Sequence, residues 1–275
     1  ALVFPAMVIA PLEDQAPRRA ALKRLAKFDY AAFVSANAVD AFFALNWPEA
    51  RRNTAWTASE TIAFAPGPGT RKALLAQGQA AFDAAYRARF VEPAQQIAGP
   101  SLYIQQVKVN VKAAFEGEAW QWHYDFATHH ADDGAPEPLA LNLHVFLDDV
   151  TEFNGPLHFI LGSHKHGPAP TRHDTTSTSY PLWVVDQDVV ARLSADGRLV
   201  SAKGKAGTAL IFGDILVHCS PPNMSPWNRA IFSLILNPVG NKQTKFARPD
   251  YKHHRDFTPV TALSDDCLLE ARAAE

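Results

Sequence analysis

From residue 101 onward the chain is cut into short apolar runs by Gly, Pro and Asn, and this punctuation limits the fold more than any other feature. Residues 102–111 alternate between apolar and polar side chains, the period-2 signature of a strand with one buried face. Further strands are expected at 141–147, 157–161, 207–212 and 229–237, with a turn at Asn154-Gly155 between the first two. The chain has 20 prolines, many beyond residue 130, which favours loops between strands over long helices. Many short strands joined by such turns predict a mainly β, double-sheet jelly roll. Residues 163–184, rich in Ser, Thr and His, predict a long polar loop over its mouth, followed by a short helix at 186–193. Residues 241–275 are expected to wrap the surface as a tail anchored by Phe246 and Phe257.

The first 78 residues read differently. Apolar runs at 2–9, 30–34 and 61–65 predict strands. Ala21, Leu22, Leu25 and Ala26 make the apolar stripe of a helix at 17–27. Ser35 or Asn37 caps a second helix that runs to Leu45, and residues 71–77 predict a third. A helix over 79–92 offers Phe82, Ala85, Phe90 and Val91 for packing, and Pro93 should end or kink it. The expected organisation is a small α/β region over 1–78 and a jelly-roll domain with flanking helices over 79–275.

A chain of 275 residues is long enough to bury a substantial core, and 47% hydrophobic with 20% charged residues is ordinary for a globular protein. The formal net charge of -2 gives no reason to expect nucleic acid or a bilayer surface as partner. No apolar run approaches the ~18 residues of a membrane span, and no basic-then-apolar leader is evident. Two cysteines, Cys219 and Cys267, are too few for a disulfide scaffold and suit a reducing compartment. A cytoplasmic protein acting on a small molecule is expected; the oligomeric state is not legible.

The stretch from Trp120 to Phe126 carries the chemistry. Read as a strand end, it places His123 and Asp125 on one face and Trp122, Tyr124 and Phe126 on the other. An imidazole and a carboxylate so spaced grip one ion from one side. His218, in a distant strand-like run, is the candidate third ligand. Two His and one carboxylate fill one face of an octahedron and leave the rest open, the ligand set of non-haem Fe(II) oxygenases. The same donor atoms also suit zinc. Arg229, eleven residues after His218, has the planar fork that holds a carboxylate.

Residues 88–270 resemble the phytanoyl-CoA dioxygenase family, especially its bacterial ectoine-hydroxylase-like branch. The resemblance rests on Tyr103-Ile104-Gln105-Gln106-Val107-Lys108-Val109-Asn110, Trp120 to Phe126, Asn154-Gly155-Pro156-Leu157, Gly162-Ser163-His164-Lys165, and His218 through Arg229. It implies a double-stranded β-helix of jelly-roll, cupin-like form. It also implies Fe(II)- and 2-oxoglutarate-dependent hydroxylation of an unactivated C–H bond by O₂. By this resemblance His123, Asp125 and His218 bind iron, and Arg229 pairs with the distal carboxylate of 2-oxoglutarate. Asn110 and Asn142 are candidates for hydrogen bonds to that cosubstrate; Asn142 stands where the branch often carries a small hydroxyl residue. The carboxylate of Asp125, absent from related halogenases, implies hydroxylation. The branch points to a free amino acid or a small cyclic zwitterion as substrate, and gives Gly162-Ser163-His164 the part of shaping the mouth.

Gln106, Trp122, His129 and His144 are candidates for the substrate side. Gln106 shares the face of Asn110. Trp122 also reads as core, His129 as part of a solvated loop, and His144 as a fourth metal ligand. Two other readings of the whole compete: a metal enzyme of another class on the same fold, and a non-catalytic jelly-roll binding module. Residues 1–78 are similar to part of uroporphyrinogen-III synthase, through Phe4-Pro5, Phe33-Val34-Ser35-Ala36-Asn37-Ala38-Val39 and Gly67-Pro68-Gly69-Thr70. No catalytic residue follows from that similarity. The opening strand and helix usual in the dioxygenase family are not evident there.

Overall fold

The computed structural model describes residues 7–8, 30–34, 61–64, 88–178, 181–195, 199–250 and 252–263. Its strands are β1 (Met7–Val8), β2 (Tyr30–Val34), β3 (Thr61–Phe64), β4 (Leu102–Lys112), β5 (Trp120–His123), β6 (Leu141–Phe146) and β7 (Leu157–Ile160). They continue as β8 (Thr171–Asp174), β9 (Leu182–Val185), β10 (Leu199–Ala202), β11 (Thr208–Gly213), β12 (His218–Ser220) and β13 (Arg229–Pro238). Helix α1 (Ala88–Ala98) precedes β4, α2 (Asp125–Ala131) follows β5, and α3 (Gln187–Leu193) follows β9. The larger sheet runs β1-β2-β11-β6-β13-β4-β3 and the smaller β10-β7-β12-β5-β9-β8. This is the double-sheet jelly roll expected from the strand pattern. No helix among the described residues is long and apolar enough to cross a membrane.

Alternation sorts the larger sheet. On β13, Ala230, Phe232, Leu234 and Leu236 enter the outer core, whereas Arg229, Ile231, Ser233 and Ile235 point between the sheets. On β6, Leu143 and Val145 go outward, and Asn142 and His144 go inward. β4 keeps the rule through a bulge: Gln106 pairs with Ile235 and Ile104 with Leu236, so Gln105 is the extra residue. That insertion sets Leu102 and Ile104 on the same face as Val107, Val109 and Val111, and turns Gln106, Lys108 and Asn110 inward. Helix α1 closes the outer face with Phe90, Val91 and Ala94, and the rings of Phe90 and Phe232 sit 6.4 Å apart. Each large apolar side chain so buried contributes about 1.5–3 kcal/mol. Pro93 lies inside α1 rather than ending it. It forfeits one backbone hydrogen bond, a loss offset by the packing of its apolar neighbours.

The smaller sheet carries its own outer layer of Phe126, Val185 and Val217 with Trp122 and Trp183, covered by Val189 of α3. Between the sheets, Phe146, Phe159, Leu210, Phe212 and Leu216 pack beside a cavity.

Residues 163–184 are not one loop: a 3-10 helix (Ser163–His166) leads to a hairpin in which β8 pairs antiparallel with β9. β8 is an edge strand with exposed Arg172 and His173, so it lacks the apolar alternation that marks a strand in sequence. The tail is not confined to the surface. Gln243, His253 and His254 are buried, and Phe257 meets Tyr103 edge-on with centroids 5.1 Å apart. Phe246 stays about half exposed, with Arg255 over its ring.

The N-terminal strands belong to the larger sheet. β2 pairs with β11, β3 with β4, and β1 parallel to β2. The helices expected at 17–27, up to Leu45, and at 71–77 lie outside the described residues, as does the start of the helix expected at 79–92.

Candidate metal centre and adjoining cavity

His123 of β5 and His218 of β12 are direct cross-strand partners, and their ring centroids are 4.2 Å apart. Each ring is fixed by its own backbone: His123 Nδ1 lies 2.6 Å from Gln121 O and His218 Nδ1 lies 2.9 Å from Leu216 O. A proton on Nδ1 leaves Nε2 as the free donor atom on both rings. Asp125 arrives differently from the sequence expectation. The strand stops at His123, and Asp125 opens α2 after extended Tyr124. The turn still brings Asp125 Oδ1 to 3.8 Å from His123 Nε2 and Oδ2 to 3.9 Å from His218 Nε2. Ligand atoms of the three residues all lie within 4.8 Å of one another, the one such group among the described residues.

Protonation favours metal binding. Burial, then the neighbouring His218, pushes the His123 imidazole down to about 3, so it is neutral. Burial alone raises Asp125, but His218 and His123 outweigh it and hold the carboxyl well below the usual range. Asn142 Nδ2 donates to Asp125 Oδ2 at 2.9 Å, which orients the carboxylate. Two free imidazole nitrogens and one ionised carboxylate fit Fe(II), with positions to spare.

The three residues open onto a cavity of about 290 Å³. Arg229 reaches it from the opposite sheet. Arg229 is 1% exposed. Nη1 donates to Asn110 Oδ1 at 2.8 Å and Nη2 to Ser220 Oγ at 3.3 Å, while buried Nε has no partner. Burial pushes it down to about 9, still charged at neutral pH. A buried cation with an unused donor suits a carboxylate.

Of the other expected site residues, Gln106, Asn110, Asn142, His129 and His144 line the cavity. Asn110 and Asn142 are engaged by Arg229 and Asp125 respectively. Gln106 donates from Nε2 to Lys252 O. His129 lies on α2, not in a loop, with Nδ1 3.1 Å from Asp214 Oδ2. Burial, then Lys108, pushes the His144 imidazole down to about 3, and its buried Nδ1 has no partner. His144 lines the cavity, as the substrate-side reading expects, and is outside the three-ligand group, so the alternative of a fourth ligand does not hold. Trp122 follows the core reading rather than the substrate-side one: it packs on the outer layer of the smaller sheet, because regular alternation turns it away from His123, and it does not line the cavity. Ser163 Oγ accepts from Val217 N at 2.9 Å, so the Gly-Ser-His element pins the approach to His218.

Sequence reading missed Lys108, Trp120, Ser220, Arg248 and Lys252 in the lining. Lys108 was detectable, lying midway between Gln106 and Asn110 on their face. Arg248 and Lys252 belong to the tail, whose path carries no periodic signal. Arg248 Nε donates to buried Asp133 Oδ1 at 2.7 Å, which anchors that segment.

A family model described as phytanoyl-CoA dioxygenase (PhyH) matches residues 20–231, reaching into the segment read as similar to uroporphyrinogen-III synthase. L-proline trans-4-hydroxylase of Streptomyces griseoviridis is 37% identical over 185 residues, 64% of this chain and 69% of that protein. Ectoine dioxygenase of Nocardia farcinica is 34% identical over 189 residues, 65% of this chain and 63% of the relative's length. Among solved structures, EctD from S. alaskensis with bound Fe superposes with a TM-score of 0.68 at 26% identity, covering 95% of this chain and 92% of that one. The same protein with 2-oxoglutarate and 5-hydroxyectoine gives 0.68 at 25% identity, covering 95% and 93%. With the family model spanning most of its length and its three-ligand centre seated between the two sheets, this chain belongs to the phytanoyl-CoA dioxygenase family.

Proposed function

We infer that the protein is an Fe(II)- and 2-oxoglutarate-dependent dioxygenase that hydroxylates an unactivated C–H bond of a small molecule. One observation carries this reading: His123, Asp125 and His218 converge on a cavity that also holds the buried, incompletely paired Arg229. His123, Asp125 and His218 would hold the iron. Bound Fe(II) and 2-oxoglutarate together supply the O₂-dependent oxidation, with succinate as co-product.

The residues of the chain bind, orient and exclude water. Arg229 holds the distal carboxylate of 2-oxoglutarate in a charge-assisted fork, and Asn110 fixes the plane of the guanidinium. Asn142 keeps Asp125 aimed at the metal. Phe159 and Phe212, edge-to-face with each other, wall one side of His218 and keep bulk water from the centre.

The substrate is a free amino acid or a small cyclic zwitterion. The cavity lining holds Lys108, Arg229, Arg248 and Lys252 against a single carboxylate, Asp125, which favours a ligand bearing its own carboxylate. A hydroxylase of L-proline and dioxygenases of ectoine are among the relatives. The test is succinate release from 2-oxoglutarate by the Fe(II)-loaded protein over a panel of amino acids, cyclic zwitterions and acyl-CoA thioesters, L-proline and ectoine included. Substrate-stimulated succinate is expected for one amino acid or cyclic zwitterion; stimulation only by acyl-CoA thioesters would contradict the substrate class.

A further inference from the structure

The loops β4–β5 (residues 113–119), β6–β7 (147–156) and β12–β13 (221–228) are bonded to one another, and their polarity is inverted. Asn154, Asn223 and Ser225 are buried, whereas Phe115, Phe153, Met224 and Trp227 are 68%, 62%, 76% and 57% exposed. These are four of the eight large apolar side chains most open to solvent among the described residues. Scattered singly, such residues are ordinary; gathered in one place they mark a contact surface.

Hydrogen bonds hold the gathering together. Phe115 N donates to Ser225 O at 3.0 Å, and Met224 N to Phe153 O at 3.3 Å, so the β12–β13 loop is tied to both of the others. Asn223 Nδ2 donates to Ala113 O at 2.9 Å and to Trp227 O at 2.7 Å. Its Oδ1 accepts from Ser225 N at 3.0 Å and from Ser225 Oγ at 2.8 Å. Asn154 Oδ1 accepts from Thr151 N at 2.8 Å, and its Nδ2 donates to Asp149 O at 2.8 Å. Polar side chains thus serve the loop backbones from inside, and the apolar ones are left facing water. Phe115 also sits at φ 61°, which an L residue rarely adopts. A surface fixed in this way loses little freedom when something covers it.

Area and charge together indicate what covers it. An aromatic side chain buries ~150–250 Å² when enclosed, so four large side chains more than half exposed offer roughly 500 Å². That lies toward the upper end of the ~300–600 Å² typical of the largest apolar patch on a monomer. It is also most of the ~800 Å² that each partner of a stable interface contributes, and aromatic residues and Met are the types enriched at interface cores. The rim carries both signs. Glu116 is exposed beside Phe115, and Glu152 beside Phe153 lies 3.2 Å from Lys203 Nζ. Lys205 Nζ lies 2.7 Å from Asp149 Oδ2 of the same loop. Acidic groups on the rim disfavour an anionic bilayer, whereas mixed signs can match the same surface turned about a two-fold axis.

We propose that this three-loop patch is the interface between two copies of this chain related by a two-fold axis, with Phe115, Phe153, Met224 and Trp227 at its centre. Two of the three loops adjoin the metal-bearing strands, one entering β5 and one leaving β12, so the interface is continuous in sequence with both histidine ligands.

The test is sedimentation equilibrium of the full chain from nanomolar to micromolar concentration. A reversible dimer is expected. Trp227→Ser removes an apolar anchor, and Phe115→Asn removes another while tolerating the positive φ. Each change is present twice in a two-fold interface, so each is expected to raise the dimer dissociation constant by about 100-fold or more, with the circular dichroism of wild type. A monomer at every concentration overturns the proposal, as does a dimer that both variants leave intact. Sedimentation of a monomeric wild type with phosphatidylcholine vesicles, lost in W227S, would assign the patch to a bilayer and also overturn it. If the variants fail to fold, hydrogen exchange of the wild type decides. Amides of 113–119, 150–154 and 223–228 are expected to slow as concentration carries the protein through dimerisation, and exchange there that ignores concentration overturns the interface.

Discussion

The side-chain amide of Asn142 donates at 2.9 Å to Oδ2 of Asp125, the same oxygen that lies 3.9 Å from Nε2 of His218. Asn142, expected as a cosubstrate contact, thus also orients a metal ligand. Asn142→Ala is predicted to lower Fe(II) affinity by about 10–100-fold, the usual effect of losing a partner that orients a ligand. Anaerobic Fe(II) titration of variant and wild type checks this, and equal affinities would refute the orienting role.

Removing a ligand goes further. His123→Ala and Asp125→Ala are each predicted to abolish succinate formation while the fold persists, since both residues sit at the cavity rather than in the apolar core. Circular dichroism should match wild type, and measurable turnover at saturating Fe(II) would contradict their assignment.

Arg229→Met removes the charge and retains apolar bulk. Losing one partner of a buried charge pair costs about 2–5 kcal/mol, so the 2-oxoglutarate requirement should rise by about thirtyfold or more. The KM for 2-oxoglutarate is the readout, and an unchanged KM would displace Arg229 from its role.

The buried carboxyl of Asp214, beside His129, gives a pH signature. Burial raises it from 3.8 to about 6, against the hydrogen bond from His129. The folded state then holds more protons than the unfolded state between these values. Its contribution is fully present below 3.8 and is lost as pH rises through about 6. Asp214→Asn removes that loss. Relative to wild type, the variant should gain stability of the order of 1–3 kcal/mol as pH rises from about 4 to 7. Thermal melts of the metal-free proteins across this range test it; a pH-independent difference would contradict it.

Phe232 separates stability from chemistry. It is 1% exposed on the face of β13 turned away from the cavity. Phe232→Ala is predicted to cost about 3–5 kcal/mol of stability and to leave 2-oxoglutarate affinity of the folded protein unchanged. Urea unfolding and calorimetry measure the two effects independently.

What the sequence revealed followed periodicity. The run at 229–237 was legible as a strand and Arg229 as a carboxylate anchor, and the pair His123 and Asp125 with the late His218, read together with the family resemblance, singled out the metal ligands. The rest escaped for identifiable reasons. Asp125 shares a side with His123 through a strand-to-helix turn, an outcome that alternation mimics without describing. Edge strands β8 and β10 expose much of their length, as at Arg172 and Leu199, and so lack an apolar stripe. The bulge at Gln105 shows only through its pairing with β13. Arg248 and Lys252 reach the cavity from a segment fixed by single contacts such as Arg248 with Asp133, and such contacts leave no pattern in a sequence.

The proposed oxygenase chemistry needs one metal held by three side chains beside a carboxylate anchor. Its most direct test is anaerobic titration of the Fe(II)-loaded wild-type protein with 2-oxoglutarate, followed by metal-to-ligand absorption and calorimetry. Saturable binding of one 2-oxoglutarate per chain, lost in Asp125→Ala and weakened in Arg229→Met, is the predicted result. Stable Fe(II) binding with no 2-oxoglutarate uptake would contradict it.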